Sequence, residues 1–159
     1  MLRNLSIYDL ETYPGMGKVF LEDVRCKQVV VNASTVYARQ LNPEGHEEPR
    51  ILNKGGMFWV LGLKTENDTT VLKVMDGGKA EVLGGFGYAN KDKLPFKQYF
   101  VNDNASLSAT YGGWKTKNGR AFDVMVTETQ GEETRQLKKA DATNRGYSSM
   151  MVLYSGRKE

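Results

Sequence analysis

Acidic residues stand next to one another at Glu22-Asp23, Glu47-Glu48 and Glu132-Glu133. Paired carboxylates are the machinery of glycoside hydrolysis, which needs them about 5–10 Å apart. Adjacent strand residues point to opposite faces, so Glu22 and Asp23 do not converge by themselves. The two Glu-Glu pairs sit in polar stretches and read as solvated charge. Lys64, Glu66 and Glu81 are a second candidate set, a lysine that could serve as a base with carboxylates near it. Surface charge pairing is the simpler reading of these three. Cys26 between Arg25 and Lys27 suits a reactive thiolate. It is the only cysteine and His46 the only histidine, so a packed thiol is the expectation and no metal cluster is predicted. There is no Gly-x-Ser-x-Gly elbow, and neither Gly55-Gly56 nor Gly84-Gly85 leads into the Gly-Lys-Ser/Thr of a phosphate loop.

The elements that would carry such residues form a repeat. Gly55-Gly56-Met57-Phe58-Trp59-Val60-Leu61-Gly62 matches Gly77-Gly78-Lys79-Ala80-Glu81-Val82-Leu83-Gly84, both reading Gly-Gly-x-x-x-Val-Leu-Gly at an offset of 22 residues. The same step back from Phe58 reaches Val36. Self-similarity at this period marks a solenoid. Strand alternation then predicts inward columns Val36, Phe58, Ala80 and Ala38, Val60, Val82, with a third of Gln40, Gly62, Gly84. The fold predicted is all-β, a right-handed parallel β-helix of about 22 residues per coil, with a β-sandwich or antiparallel barrel as alternatives. Further strands are expected at 19–21, 29–31, 51–52, 69–74, 121–127 and 150–154. Ser106–Tyr111 is aligned so that Leu107 follows Val82. The whole chain, 1–159, reads as one domain. Residues 2–18 are expected as an N-terminal cap, and 138–159 as a polar connector and last strand.

The same parity places Tyr37, Trp59 and Glu81 in one outward column and Arg39, Leu61 and Leu83 in the next. An outward Trp beside leucines marks a covered surface, a subunit interface or a sugar platform. Trp114 is expected as a separate loop aromatic. The candidate carbohydrate or partner surface is therefore Tyr37, Arg39, Trp59, Leu61, Leu83 and Trp114.

Bulk properties limit the partners. Twenty-two basic and 19 acidic residues leave a net charge of +3. They are interleaved rather than gathered into the basic stripe of a nucleic-acid protein, so no nucleic-acid partner is predicted. No run is apolar and long enough to suggest a membrane span. Met1-Leu-Arg-Asn-Leu does not read as a signal peptide. Asn-x-Ser/Thr triplets begin at Asn4, Asn32, Asn67 and Asn104 and are read as turn asparagines.

The strings Val36-Tyr37-Ala38-Arg39-Gln40-Leu41-Asn42-Pro43-Glu44, Trp59-Val60-Leu61-Gly62-Leu63-Lys64-Thr65-Glu66 and Glu81-Val82-Leu83-Gly84-Gly85-Phe86, followed by Phe100-Val101-Asn102-Asp103 and Thr127-Glu128-Thr129, resemble the C-terminal coils of bacterial proteins of the pectate-lyase-like superfamily. The resemblance covers roughly residues 19 to 137. Family members are longer, and their Gly-rich N-terminal coils have no counterpart here. The resemblance implies a β-helix with a polysaccharide-binding or polysaccharide-processing background, outside the cell or on its surface, and carries over no catalytic residue. It implies a non-catalytic module acting in polysaccharide binding or assembly, the alternatives being a lyase or hydrolase whose groove neighbouring chains complete, and a self-assembling structural protein. The partner expected is a polysaccharide or another protein chain, with a homo-oligomer in view. No cofactor is expected, calcium entering only under the lyase alternative.

Overall fold

A computed structural model describes residues 1–66, 69–89, 98–115, 123–145 and 148–157. The chain is a parallel β-solenoid of about five turns. Odd-numbered strands build one sheet, here sheet A: β1 (Leu2–Ser6), β3 (Lys18–Cys26), β5 (Thr35–Pro43), β7 (Met57–Glu66), β9 (Lys79–Ala89) and β11 (Ser106–Lys115). Even-numbered strands build sheet B: β2 (Asp9–Thr12), β4 (Gln28–Asn32), β6 (Ile51–Lys54), β8 (Leu72–Met75), β10 (Gln98–Asp103) and β12 (Val124–Gln130). Each winding contributes one strand to each sheet, and all these neighbours pair in parallel.

The predicted columns stand in register. Val36 pairs with Phe58 and Phe58 with Ala80; Ala38 pairs with Val60 and Val60 with Val82. All six are buried. A matching column in sheet B runs Leu10, Val29, Ile51, Leu72, Phe100, Val126. The core lies between the sheets, where the columns meet. Each apolar side chain sits on its equivalent in the next coil, so burial at one rung supports the next.

Two features depart from the sequence reading. Leu107 pairs with Ala80 rather than Val82, and Ala109 takes the place beside Val82. The coil from Ala80 to Leu107 is therefore longer than the repeat before it. Leu107 and Ala109 have the same parity along the strand, so the shift preserves which side chains face inward. The early coils, from Leu2 to Leu21 and from Val19 to Val36, are shorter than the repeat. The third column is not an inward one. Gln40, Gly62 and Gly84 have φ of 56°, 77° and 79°. They stack with Asp23 and Asn4, at 53° and 50°, as one left-handed kink repeated coil after coil. The kink adds a residue without a side chain facing the core. The residue after it, Val24, Leu41 or Leu63, then points inward.

β11 lacks this kink. Its ladder to β9 shifts register between Thr110 and Gly112, and Tyr111 turns into the core, fully buried. Its ring packs edge-on to Phe100 at 5.1 Å and beside Tyr99 at 5.2 Å. It lies over Gly85, where a Cβ would sit 2.6 Å from the ring.

The two ends of the solenoid differ. Leu2–Ser6 and Asp9–Thr12, within the stretch expected to cap the helix, are the outermost strands of their sheets and pair in parallel with β3 and β4. At the other end the chain reverses. β13 (Glu133–Lys138) pairs antiparallel with β12, and β15 (Ser148–Gly156) antiparallel with β11. The expected polar connector holds a short 3-10 turn, Lys139–Asp141, and β14 (Thr143–Arg145), which pairs with β15.

Candidate functional site: the outer face of sheet A

The predicted outward columns lie on one face. Phe20, Tyr37, Trp59, Glu81 and Ser108 follow one another across successive strands, in register. Beside them run Glu22, Arg39, Leu61, Leu83 and Thr110. Strand spacing of about 4.8 Å brings the aromatic rings into contact. Phe20 and Tyr37 stack at 5.3 Å with an interplanar angle of 16°, and Tyr37 meets Trp59 at 6.4 Å and 54°. Stacked rings cover one another's faces, so Trp59, the last of the three, is where the ladder meets smaller polar side chains. There a cleft of about 290 Å³ opens, lined by Trp59 with Lys79, Glu81, Ser108, Ser155 and Arg157. Lys79, Glu81 and Arg157 make no ion pair among the described residues. The cleft thus combines an aromatic wall, hydroxyls, one carboxylate and two cations.

Leu61 and Leu83 remain 43% and 38% exposed, so β15, which extends the sheet at its edge, does not lie over them. The apolar row continues into Val152 and Leu153, 65% and 69% exposed. Arg39 is held by the Glu22 carboxylate, which Arg3 also reaches at 3.2 Å.

Trp114 is not on a loop. It stands on β11 opposite Tyr88, in a second outward aromatic group. Tyr88 lies 5.1 Å from Phe86 and 5.8 Å from Trp114, ring to ring. This group is near the opposite ends of the strands from Trp59, so the two tryptophans do not share a site.

The charged sets singled out for catalysis do not converge. Lys64 binds Glu44 of the preceding coil and Glu66 of its own, and Glu44 is also held by Arg25 at 3.0 Å. Burial alone would raise the Glu44 carboxyl, but bonds from Lys64, Arg25 and Asn42 outweigh it and hold the group below its ordinary value. Burial likewise disfavours the Lys64 cation, yet its two carboxylates raise it. Glu81 belongs to the Trp59 column instead. Glu22 faces outward in its ion pairs, while Asp23 is one of the kinked residues. Glu48 accepts a bond from Thr70 at 3.2 Å. Glu133 is tied to Arg135 at 2.7 Å, in a cleft of about 510 Å³ that Glu128 also lines. Glu128 accepts from the buried Asn102 amide at 3.2 Å. Cys26 is buried, and burial first, then Asp9, pushes its thiol up to about 12. That is opposite to the shift a nucleophile needs. Among the described residues no three His, Cys, Asp or Glu side chains gather as metal ligands. No helix of the described chain is long and apolar enough to cross a membrane. Of the four Asn-x-Ser/Thr sites, Asn67 lies outside the described residues; Asn4 and Asn104 occupy left-handed positions, and Asn104 Oδ1 accepts from the Gly131 N–H at 2.8 Å.

Sequence reasoning missed Phe20, Ser108, Ser155 and Arg157. Phe20 pairs with Tyr37 across one of the short early coils, so a search at the period of the clear repeat passes over it. The serines and arginine come from segments outside that repeat. Comparison with protein-family models, curated proteins and solved structures returned no match.

Proposed function

We propose that this chain is a non-catalytic β-solenoid module that binds polysaccharide in the cleft beside Trp59. The observation that carries the reading is the aromatic ladder ending at Trp59 against Glu81, Ser108 and Lys79. A sugar ring offers an apolar C–H face to an aromatic side chain and hydroxyls to polar neighbours, and binding sites combine an apolar wall with a few placed polar groups in this way. The resemblance to pectate-lyase-like coils supports the same class of ligand, and with it a bacterial, extracellular setting. Of the groups singled out for catalysis, Glu22, Glu133 and the Lys64–Glu66 pair are engaged in ion pairs, and Glu81 stands in a different column, which favours binding over turnover.

The test is retention on a panel of neutral and acidic polysaccharides, with and without calcium, read together with reducing ends and unsaturated product. Retention without product is expected. Trp59→Ala should weaken it at least about tenfold, a loss of about 1.4 kcal/mol or more, and leave the melting temperature within a few degrees. Trp114→Ala should leave retention unchanged. Product formation would replace this reading with the lyase or hydrolase alternative, and retention indifferent to Trp59 would move the site elsewhere.

A further inference from the structure

Arg157 belongs to two clefts. It lines the one beside Trp59 and also the larger one, of about 510 Å³, that holds Glu128 and Glu133. The fold explains why the two abut. β15 sets Gly156 against Leu107, so Arg157 leaves the strand beside the corner where β10 passes into β11. Asn104, at that corner, lines the larger cleft, and Ser106, two residues on, lines the smaller. The corner is tied to the coils on both sides. The Asn104 N–H donates to the Thr129 carbonyl at 2.8 Å, and the Gly77 N–H to the Asn104 carbonyl at 3.1 Å. Side chains complete it: the Gly131 N–H donates to Asn104 Oδ1 at 2.8 Å, and Gln130 Nε2 to the Ala105 carbonyl at 3.0 Å. A wall fixed in advance costs a ligand little ordering.

The Trp59 cleft alone, at about 290 Å³, falls just short of the ~300–1,000 Å³ of small-molecule sites, so it holds only a short piece of a glycan chain. The larger cleft lies where that chain would continue. Charge selects the kind of sugar. Among the described residues, the acidic Glu81 and Glu128 and the basic Lys79 and Arg157 make no ion pair. Glu133 and Arg135 neutralise each other at 2.7 Å. Acids and cations therefore balance, and neither cleft has the surplus positive charge that a run of acidic sugars needs. A uronate would meet Glu81 in the smaller cleft and Glu128 in the larger, and like charges set together exclude a partner. Carboxylates are strong acceptors for hydroxyl donors, which a neutral sugar offers around its ring. Glu128 is held for this role by the fully buried Asn102, whose amide donates to its Oε1 at 3.2 Å.

We propose, resting on the polysaccharide-binding reading above, that the two clefts are one extended groove for a neutral glycan chain. One sugar ring stacks on Trp59, Arg157 stands at the junction, and Glu128 accepts from hydroxyls of the units that follow.

The test is calorimetric titration of the full chain with neutral oligomers of glucose, xylose and mannose, from disaccharide to hexasaccharide, beside oligogalacturonates of the same lengths. Affinity for a neutral series should rise at least about tenfold from disaccharide to hexasaccharide. It should change by less than about twofold between low and high salt, because no ion pair forms on binding. Glu128→Gln keeps an acceptor for Asn102, so the melting temperature should hold. It should weaken hexasaccharide binding at least about threefold and leave the disaccharide unaffected. Arg157→Ala and Trp59→Ala should weaken both lengths. Binding that depends on Trp59 but gains nothing from length, or that ignores Glu128 and Arg157, overturns the extended groove and leaves the Trp59 site standing. Tighter, salt-sensitive binding of oligogalacturonates overturns the assignment to neutral sugars. No binding of any glycan overturns both this inference and the function it rests on.

Discussion

At Gln40 a bulky residue holds φ of 56°, where Gly62 and Gly84, on the next two coils of the column, sit at 77° and 79°. A Cβ makes this region costly by about 1–2 kcal/mol, and glycine escapes that penalty. Gly84 isolates the effect, because a Cβ there meets nothing within 4 Å. Gly84→Ala should lower stability by about 1 kcal/mol in urea unfolding, with the m-value unchanged. An unchanged midpoint would show that the kink relaxes. Glu44 and Lys64 give a second test at this scale. A depressed carboxyl contributes stability that is present above its ordinary value and lost as pH falls through the native one. A raised lysine contributes stability below its ordinary value and loses it as pH rises through the native one. Both contributions are therefore whole in the neutral range. Glu44→Gln should cost roughly 0.5–1 kcal/mol near neutrality, discounted because Lys64 is more than a third exposed. That difference should shrink as pH falls through the ordinary glutamate range and vanish below the lowered native value. A mutant–wild-type difference that persists in acid would remove the ion network as its cause.

At the scale of the element, β11 marks where the regular coil ends. The kink stacks through β1, β3, β5, β7 and β9 and stops there, and the β9–β11 ladder shifts register at that point. Tyr111 fills the space above Gly85 and Gly87. Large aromatic truncation leaves a cavity the sheets cannot collapse into, so Tyr111→Ala should cost about 3–5 kcal/mol. Gly85→Ala should also destabilise, since its Cβ would meet the Tyr111 ring and sit 3.0 Å from the Leu63 carbonyl. Gly85→Ala combined with Tyr111→Ala should cost less than the sum of the two in a double-mutant cycle. Strict additivity would mean that the ring and the glycine are not partners.

At the scale of the molecule, stacking makes a surface as well as a core. The parallel register that aligns Val36 with Phe58 and Ala80 also aligns Tyr37 with Trp59 and Glu81. One face therefore gains a ladder whose last ring borders a cleft. Arg3→Glu should leave glycan retention intact, because β3 and β5 stand between β1 and the strand that carries Trp59.

What the sequence by itself determined is the solenoid, through one repeated string. Period-2 alternation inside the Gly-Gly-x-x-x-Val-Leu-Gly match was enough to assign the inward columns Val36, Phe58, Ala80 and Ala38, Val60, Val82, because side-chain direction in a strand follows from local geometry. The Trp59 and Glu81 column and the Leu61 and Leu83 row were legible for the same reason. Alternation fails where the backbone leaves the extended region. Gln40 carries no mark of a left-handed position, and its conformation is set by the coils stacked on either side. The long coil from Ala80 to Leu107, the place of Trp114 on a strand and the contribution of Ser155 and Arg157 to the cleft were likewise decided in three dimensions. Each depends on pairing between segments far apart in the chain, and such pairing is chosen by the packing of the whole stack rather than by any local run of residues.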